Sequence, residues 1–209
     1  DLIEKLQYDT IYHEHLYYYS LKPLTTYFEK FWMEIFDVKR IPAHAGSIKV
    51  FVKHKASKRN ISNAVPQLLK EEKEFGLYDV EIYREFEKKV KTHKLELKKA
   101  LTDLKQKGYT IAGYGAPARG TILLNYSEIT QEHLDYITDT SSTRINKFVP
   151  GVKIPIYPEE YLLKNPPDIV LILAWNFKEE IMQKLKGRGY TFIIPIPKVE
   201  VIQDALGNS

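Results

Sequence analysis

From residue 109 to residue 202 the chain switches repeatedly between unbroken apolar runs and amphipathic stretches, and few folds accept that alternation. Residues 109–114, 135–138, 152–157, 169–174 and 192–195 read as short strands. Residues 116–126, 158–165 and 178–186 read as helices between them. A strand such as 169–174, apolar at every position, must be covered on both faces. Strands of that kind separated by helices build a parallel sheet with helices on each side. The expected fold class is therefore α/β, with a small Rossmann-like parallel sheet in the C-terminal half.

The preceding half reads differently. Residues 60–107 are almost purely helical. Ser62 is placed to cap a helix running to Phe75 and closed by Gly76. A longer run from Asp79 spaces Val80, Tyr83, Phe86, Val90, Leu97, Leu101 and Leu104 at helical intervals and stops at Gly108. Residues 8–19 and 46–53 carry strand formers, with Ile48, Val50 and Val52 alternating against Lys49 and Lys53. Between them, residues 21–36 space Leu24, Phe28, Phe31, Trp32 and Ile35 as a helix capped by Ser20, and a hairpin turns around residues 43–46. The expected division is 1–56 as a strand, helix and hairpin region, 57–108 as a helical connector, and 109–209 as a Rossmann-like ligand-binding subdomain.

Composition narrows the function. The 209 residues include no cysteine, which excludes disulfides, thiolate metal sites and cysteine nucleophiles. No apolar run approaches the roughly 20 residues that span a bilayer. A net charge of +4 without a compact Lys/Arg block suits a small anionic ligand rather than nucleic acid. The reading is a cytoplasmic protein with neither membrane nor nucleic acid as partner. It opens at Asp1-Leu2-Ile3-Glu4 without Met, as a piece of a longer protein does.

The sharpest local signal is Gly113-Tyr114-Gly115-Ala116-Pro117-Ala118-Arg119-Gly120, which leaves a strand and opens a helix. Glycines there permit a tight turn and a close ligand, and a helix N-terminus presents N–H groups and partial positive charge to a phosphate. Arg119 is placed to add a bidentate contact. The third glycine comes two residues later than in the usual dinucleotide pattern, and a tight turn alone is the competing explanation. Asp139 ends the next strand, where an acid meets a ribose hydroxyl in dinucleotide folds. Arg144 and Lys147 follow on a loop within reach of a diphosphate. Trp175 and Asn176 interrupt an apolar strand at what becomes the crevice edge, because ligands in open parallel sheets lie beyond the strand carboxyl ends.

A second signal is Tyr12-His13-Glu14-His15. Ionisable groups this close together are costly to bury unless paired or employed. On a strand His13 and His15 share a face, and a His-x-His pair is a metal half-site that would need a third ligand such as His44, His54 or Asp9. The other chemistry is acid–base catalysis, with an imidazole oriented by a carboxylate and a phenol nearby.

These segments together resemble the C-terminal region of the S-adenosylmethionine-dependent sugar C-methyltransferases. The matching pieces are Tyr12-His13-Glu14-His15, Gly46-Ser47-Ile48, the glycine turn with Ala118-Arg119-Gly120, Leu123-Leu124-Asn125, Asp139, Pro150-Gly151 and Leu173-Ala174-Trp175-Asn176-Phe177. The resemblance implies His15 as the general base beside a sugar ketone, flanked by Tyr12 and Glu14. It implies a nucleotide diphosphate sugar seated on Gly113, Gly115, Ala116, Arg119, Gly120, Asn125, Asp139, Arg144, Lys147, Trp175 and Asn176. Arg119 and Thr121 stand where the family carries lysine and asparagine. The resemblance further implies an upstream methyl-donor domain that binds S-adenosylmethionine, no metal in this portion, and no activity of this portion alone. Two alternatives accompany it, a non-catalytic nucleotide-sugar binding module and a metal-dependent enzyme using His13 and His15.

Overall fold

The computed structural model describes residues 1–204. The chain divides into two compact units, one of residues 1–2 with 15–87 and the other of residues 3–14 with 88 onward.

The first unit holds α1 (Leu21–Glu29), β1 (Met33–Ile41), β2 (Ser47–His54) and α2 (Ala64–Glu74). Its core is Leu21, Ile35, Val38, Val65 and Leu68, with Leu24, Phe28, Val50 and Val52 packed against it. Ile35 and Val38 are three residues apart, yet both are buried. Alternation on a regular strand would put them on opposite faces. The β1–β2 register supplies the correction, because a shift between Ile35 and Asp37 inserts one extra residue, a β-bulge. Helix α1 stops at Glu29, short of the residue 36 expected from spacing. Trp32 takes a positive φ of 55°, and residues 33–36 join the hairpin, where Ile35 lies opposite Val52. Pairing and burial outweigh helical spacing there.

Ser20 occupies the N-cap position of α1 but its side chain makes no capping bond. Glu72 of α2 does so instead. Its carboxylate accepts from the Leu21 N–H at 2.5 Å, the Lys22 N–H at 3.3 Å and the Tyr78 hydroxyl at 2.6 Å. A buried carboxylate at the positive end of a helix with three donors is well compensated.

Helix α3 (Val80–Gln106) contains the boundary between the units. In the second unit its Val90, His93, Leu97 and Leu101 form one buried stripe. The sheet that follows comprises β3 (Ile111–Tyr114), β4 (Tyr136–Asp139), β5 (Lys147–Phe148), β6 (Pro155–Pro158), β7 (Ile169–Ile172), β8 (Thr191–Ile194) and β9 (Glu200–Gln203). Helices α4 (Ala118–Tyr126), α5 (Glu159–Lys164) and α6 (Lys178–Lys184) lie between strands in sequence. The strand order is β5-β6-β4-β3-β7-β8-β9. The inner five pair in parallel, and β5 and β9 add antiparallel edges that the apolar runs did not announce. Strands β3, β4 and β7 are buried at every position. The fold is the expected mixed α/β arrangement, a mostly parallel Rossmann-like sheet together with a hairpin in the N-terminal part.

Chain order reverses between β3 and β7. The strands after β3 run outward through β4 and β6, and then the chain returns to the other side at β7. Such a switch point opens a crevice at the strand carboxyl ends.

The strand expected over residues 8–19 is not formed. Residues Tyr8–Thr10 make a single 3-10 turn and the segment beyond is irregular. Tyr8 and Asp9 are buried on polar partners instead of standing in a ladder.

Candidate functional site

The glycine turn lies on one side of the switch point and residues 173–176 on the other. Gly113 ends packed against the neighbouring strands: a Cβ there would come 2.7 Å from Ile137 Cγ1 and 3.1 Å from Leu173 Cδ1. Gly115 has φ +82°, and its Cβ would meet that of Ala174 at 2.9 Å. A Cβ on Gly120, in the first turn of α4, would crowd Leu173 Cβ at 3.1 Å. All three glycines thus allow α4 and the turn to approach β7 closely, which brings the α4 N-terminus to the switch point.

Asp139 closes the turn from the β4 side. One carboxylate oxygen accepts from the Ala116 N–H at 2.6 Å and from Arg144 Nη1 at 3.0 Å, and the other accepts from the Ser141 N–H at 2.7 Å. Asp139 is 7% exposed, so these internal bonds occupy most of its acceptor capacity. Arg144 is correspondingly tied to the turn, while Lys147 on β5 is exposed. Beside Asp139, the buried Thr138 Oγ1 has no hydrogen-bond partner. Asn125 at the far end of α4 donates to the Thr121 carbonyl at 2.8 Å and the Pro150 carbonyl at 2.9 Å, and Gly151 (φ +83°) lies against its amide oxygen.

Tyr114 reaches to the other face of the sheet, where its hydroxyl donates to Glu159 at 2.6 Å. Burial, followed by the adjacent Glu159 carboxylate, pushes the phenol above its ordinary range. Lys184 completes that group with a 2.6 Å contact to the second Glu159 oxygen.

Arg119 and Trp175 are joined by a residue the sequence offered only as a spare metal ligand. Asp9, fully buried, accepts from Arg119 Nε at 3.1 Å, Arg119 Nη2 at 2.8 Å and Trp175 Nε1 at 2.7 Å. The guanidinium carbon stands 4.3 Å over the Trp175 ring. The bidentate contact expected of Arg119 is therefore made to Asp9, with Nη1 outside that fork. Next to Asp9, Tyr8 bonds to His93 Nδ1 at 3.0 Å, and His93 Nε2 lies 2.5 Å from the Pro195 carbonyl. A carbonyl only accepts, so Nε2 carries the proton and Nδ1 takes the Tyr8 hydroxyl hydrogen. Burial holds His93 below the ordinary imidazole range and raises Tyr8 above the phenol range. Neither Tyr8 nor His93 stands in a motif, since one lies on an aromatic run and the other on an amphipathic helix.

The segment anchored by Tyr8 and Asp9 continues to Tyr12, His13 and Glu14, all in the second unit. Tyr12 is half-buried, His13 and Glu14 are exposed, and the Tyr12 and His13 rings meet edge-on at 6.4 Å. His15 is half-buried and belongs to the first unit, where its ring lies 6.2 Å from that of Tyr18 and 6.5 Å from that of His44. Asn176 is exposed on the 3-10 turn Trp175–Phe177. Among the described residues no group of three or more His, Cys, Asp or Glu side chains could hold a metal ion. No helix among them is long and apolar enough to cross a membrane.

The family model described as the C-methyltransferase C-terminal domain matches residues 42–197, which takes in the turn, Asp139 and Trp175. The chain belongs to this family. Among relatives of the family member, C-methyltransferase NovU of Streptomyces niveus is 35% identical over 205 residues, 97% of this chain. The chain spans 49% of that protein's length, about half.

Proposed function

We propose that this chain is the substrate-binding and proton-abstracting half of a C-methyltransferase acting on a nucleotide-linked keto-deoxysugar. The observation that carries the reading is the docking of residues 3–14, which lead into Tyr12 and Glu14, on the glycine turn and Trp175 at the switch point. The first turn of α4 leaves backbone N–H groups without intrahelical partners, and a diphosphate is the ligand they suit. In this reading Gly113, Gly115, Ala116 and Gly120 shape the seat, and Arg119 Nη1, Arg144 and Lys147 supply positive charge. Asp139 and Asn125 hold the two bordering loops, and Trp175 and Asn176 form the edge nearest the sugar.

His15 removes the proton beside the ketone. Tyr12 and Glu14 flank it and orient the sugar, with Tyr12 donating a hydrogen bond to the enolate oxygen as charge develops there. The methyl donor would be S-adenosylmethionine, whose sulfonium C–S bond breaks as the new C–C bond forms and which leaves as the neutral thioether. The donor is held by the other half of a longer cytoplasmic protein, in keeping with a chain that spans 49% of C-methyltransferase NovU.

Calorimetric titration with thymidine diphosphate tests the seat. Saturable binding below about millimolar is expected, and no binding at that concentration overturns the reading. His15→Asn in the full-length enzyme is expected to lower methyl transfer by about 10²–10⁴-fold. Unchanged turnover leaves a binding module without this base.

A further inference from the structure

The geometry points to Asp9 as the positioning residue that holds the Tyr12–Glu14 segment at the ligand crevice, through Arg119 on α4 and Trp175 beyond β7. Its assignment of a target, the acid–base segment, rests on the function proposed above; the anchoring itself does not.

Three features set Asp9 apart from an ordinary buried acid. First, its partners come from opposite sides of the switch point, Arg119 from the helix after β3 and Trp175 from the turn after β7. Among the described strands no other neighbouring pair has that relation. Second, the pair is withdrawn from solvent, with side-chain exposures of 14% for Arg119 and 1% for Asp9. Removing one member of such a pair leaves an uncompensated buried charge, which is far costlier than losing a surface contact. Third, the backbone between Asp9 and Tyr12 is short and tight. The Ile11 N–H donates to the Tyr8 carbonyl at 3.0 Å and the Tyr12 N–H to the Thr10 carbonyl at 3.2 Å. Tyr12 is thereby tied by the backbone to the turn that contains Asp9.

Arg119 also connects the anchor to the anion seat. Nε and Nη2 fork onto Asp9, so the plane of the guanidinium is set by Asp9 and by the Trp175 ring beneath it. A diphosphate at the α4 N-terminus would meet Nη1 of a cation already oriented. Charge from the anion would then be felt at Trp175 and along residues 9–14.

The test uses this chain, whose only tryptophans are Trp32 and Trp175. Indole N–H resonances and amide hydrogen exchange are followed in the natural protein and in Asp9→Asn, each with and without thymidine diphosphate. In the natural protein we expect diphosphate to shift the Trp175 indole resonance and to slow exchange at Ile11 and Tyr12. In Asp9→Asn the free-state indole resonance should move upfield, exchange at Ile11 and Tyr12 should accelerate by on the order of a hundredfold, and diphosphate, bound more weakly because Arg119 is no longer held in place, should at saturation no longer slow that exchange. If Asp9→Asn fails to fold, the pair Asp9→Asn with Arg119→Gln removes both charges, and there the ligand-free indole resonance and amide exchange alone decide the anchor. An unchanged indole resonance and unchanged exchange in the folded variant overturn the anchor. Diphosphate binding that leaves residues 9–14 unaffected in the natural protein overturns the coupling. Failure of diphosphate to bind the natural protein sinks the proposed substrate, whereas the anchor still stands or falls on the ligand-free comparison.

Discussion

Mild acid should destabilise the second unit through His93, and the size and sign of the effect follow from its bonds. His93 is 2% exposed, with both ring nitrogens engaged, Nε2–H toward the Pro195 carbonyl and Nδ1 toward the Tyr8 hydroxyl. Burial is the largest influence on it and holds its pKa below the ordinary 6.5, against the opposing pull of the Pro195 carbonyl, Glu96 and Asp9. As pH falls through about 6.5, imidazole in the unfolded chain takes up a proton that native His93 refuses. The unfolded state then binds more protons, so stability rises with pH through this window and is lost on acidification. The slope is bounded at about 1.4 kcal/mol per pH unit for one histidine. His133, also buried and lowered by burial, accepts from the Thr130 N–H at 3.2 Å and should contribute a second increment of the same sign. Urea unfolding between about pH 7.5 and 5 measures the slope, and His93→Gln should reduce it by up to about 1.4 kcal/mol per pH unit. Carboxylates act lower: Asp168, held below its ordinary range by the Thr110 N–H and hydroxyl, loses its contribution only as pH falls through and below the usual carboxylate range. A His93→Gln protein with the natural slope would refute the reasoning.

Two further perturbations examine the packing. Gly115→Ala combines a side chain at positive φ with a 2.9 Å approach to Ala174, and should cost about 2–4 kcal/mol in urea unfolding. In an Ala174→Gly background about 1–2 kcal/mol should remain, and equal costs in both backgrounds would dismiss the contact. Glu72→Gln should weaken α1 by about 1.5–3 kcal/mol, because the carboxylate holds two backbone N–H groups and the Tyr78 hydroxyl. Amide exchange at Leu21 and Lys22 reports it, and unchanged protection there would assign the cap elsewhere.

Periodicity and punctuation were enough to read the parallel sheet, the long helix ending near Gly108 and the glycine turn before α4. Apolar runs buried on both faces admit few arrangements, and a glycine turn between strand and helix is a local matter. The Tyr12-His13-Glu14-His15 motif was visible for the same reason, since its residues are neighbours in the chain. Tertiary structure alone decided the rest. Asp9 finds its partners 110 and 166 residues away, and Tyr8 its histidine 85 residues away. No sequence pattern encodes contacts of that separation. The same reason explains why residues 8–19 form no strand, why Glu72 caps α1 in place of Ser20, and why α1 yields residues 33–36 to a hairpin. In each case a distant partner offered the backbone or a buried charge better compensation than its own neighbours could.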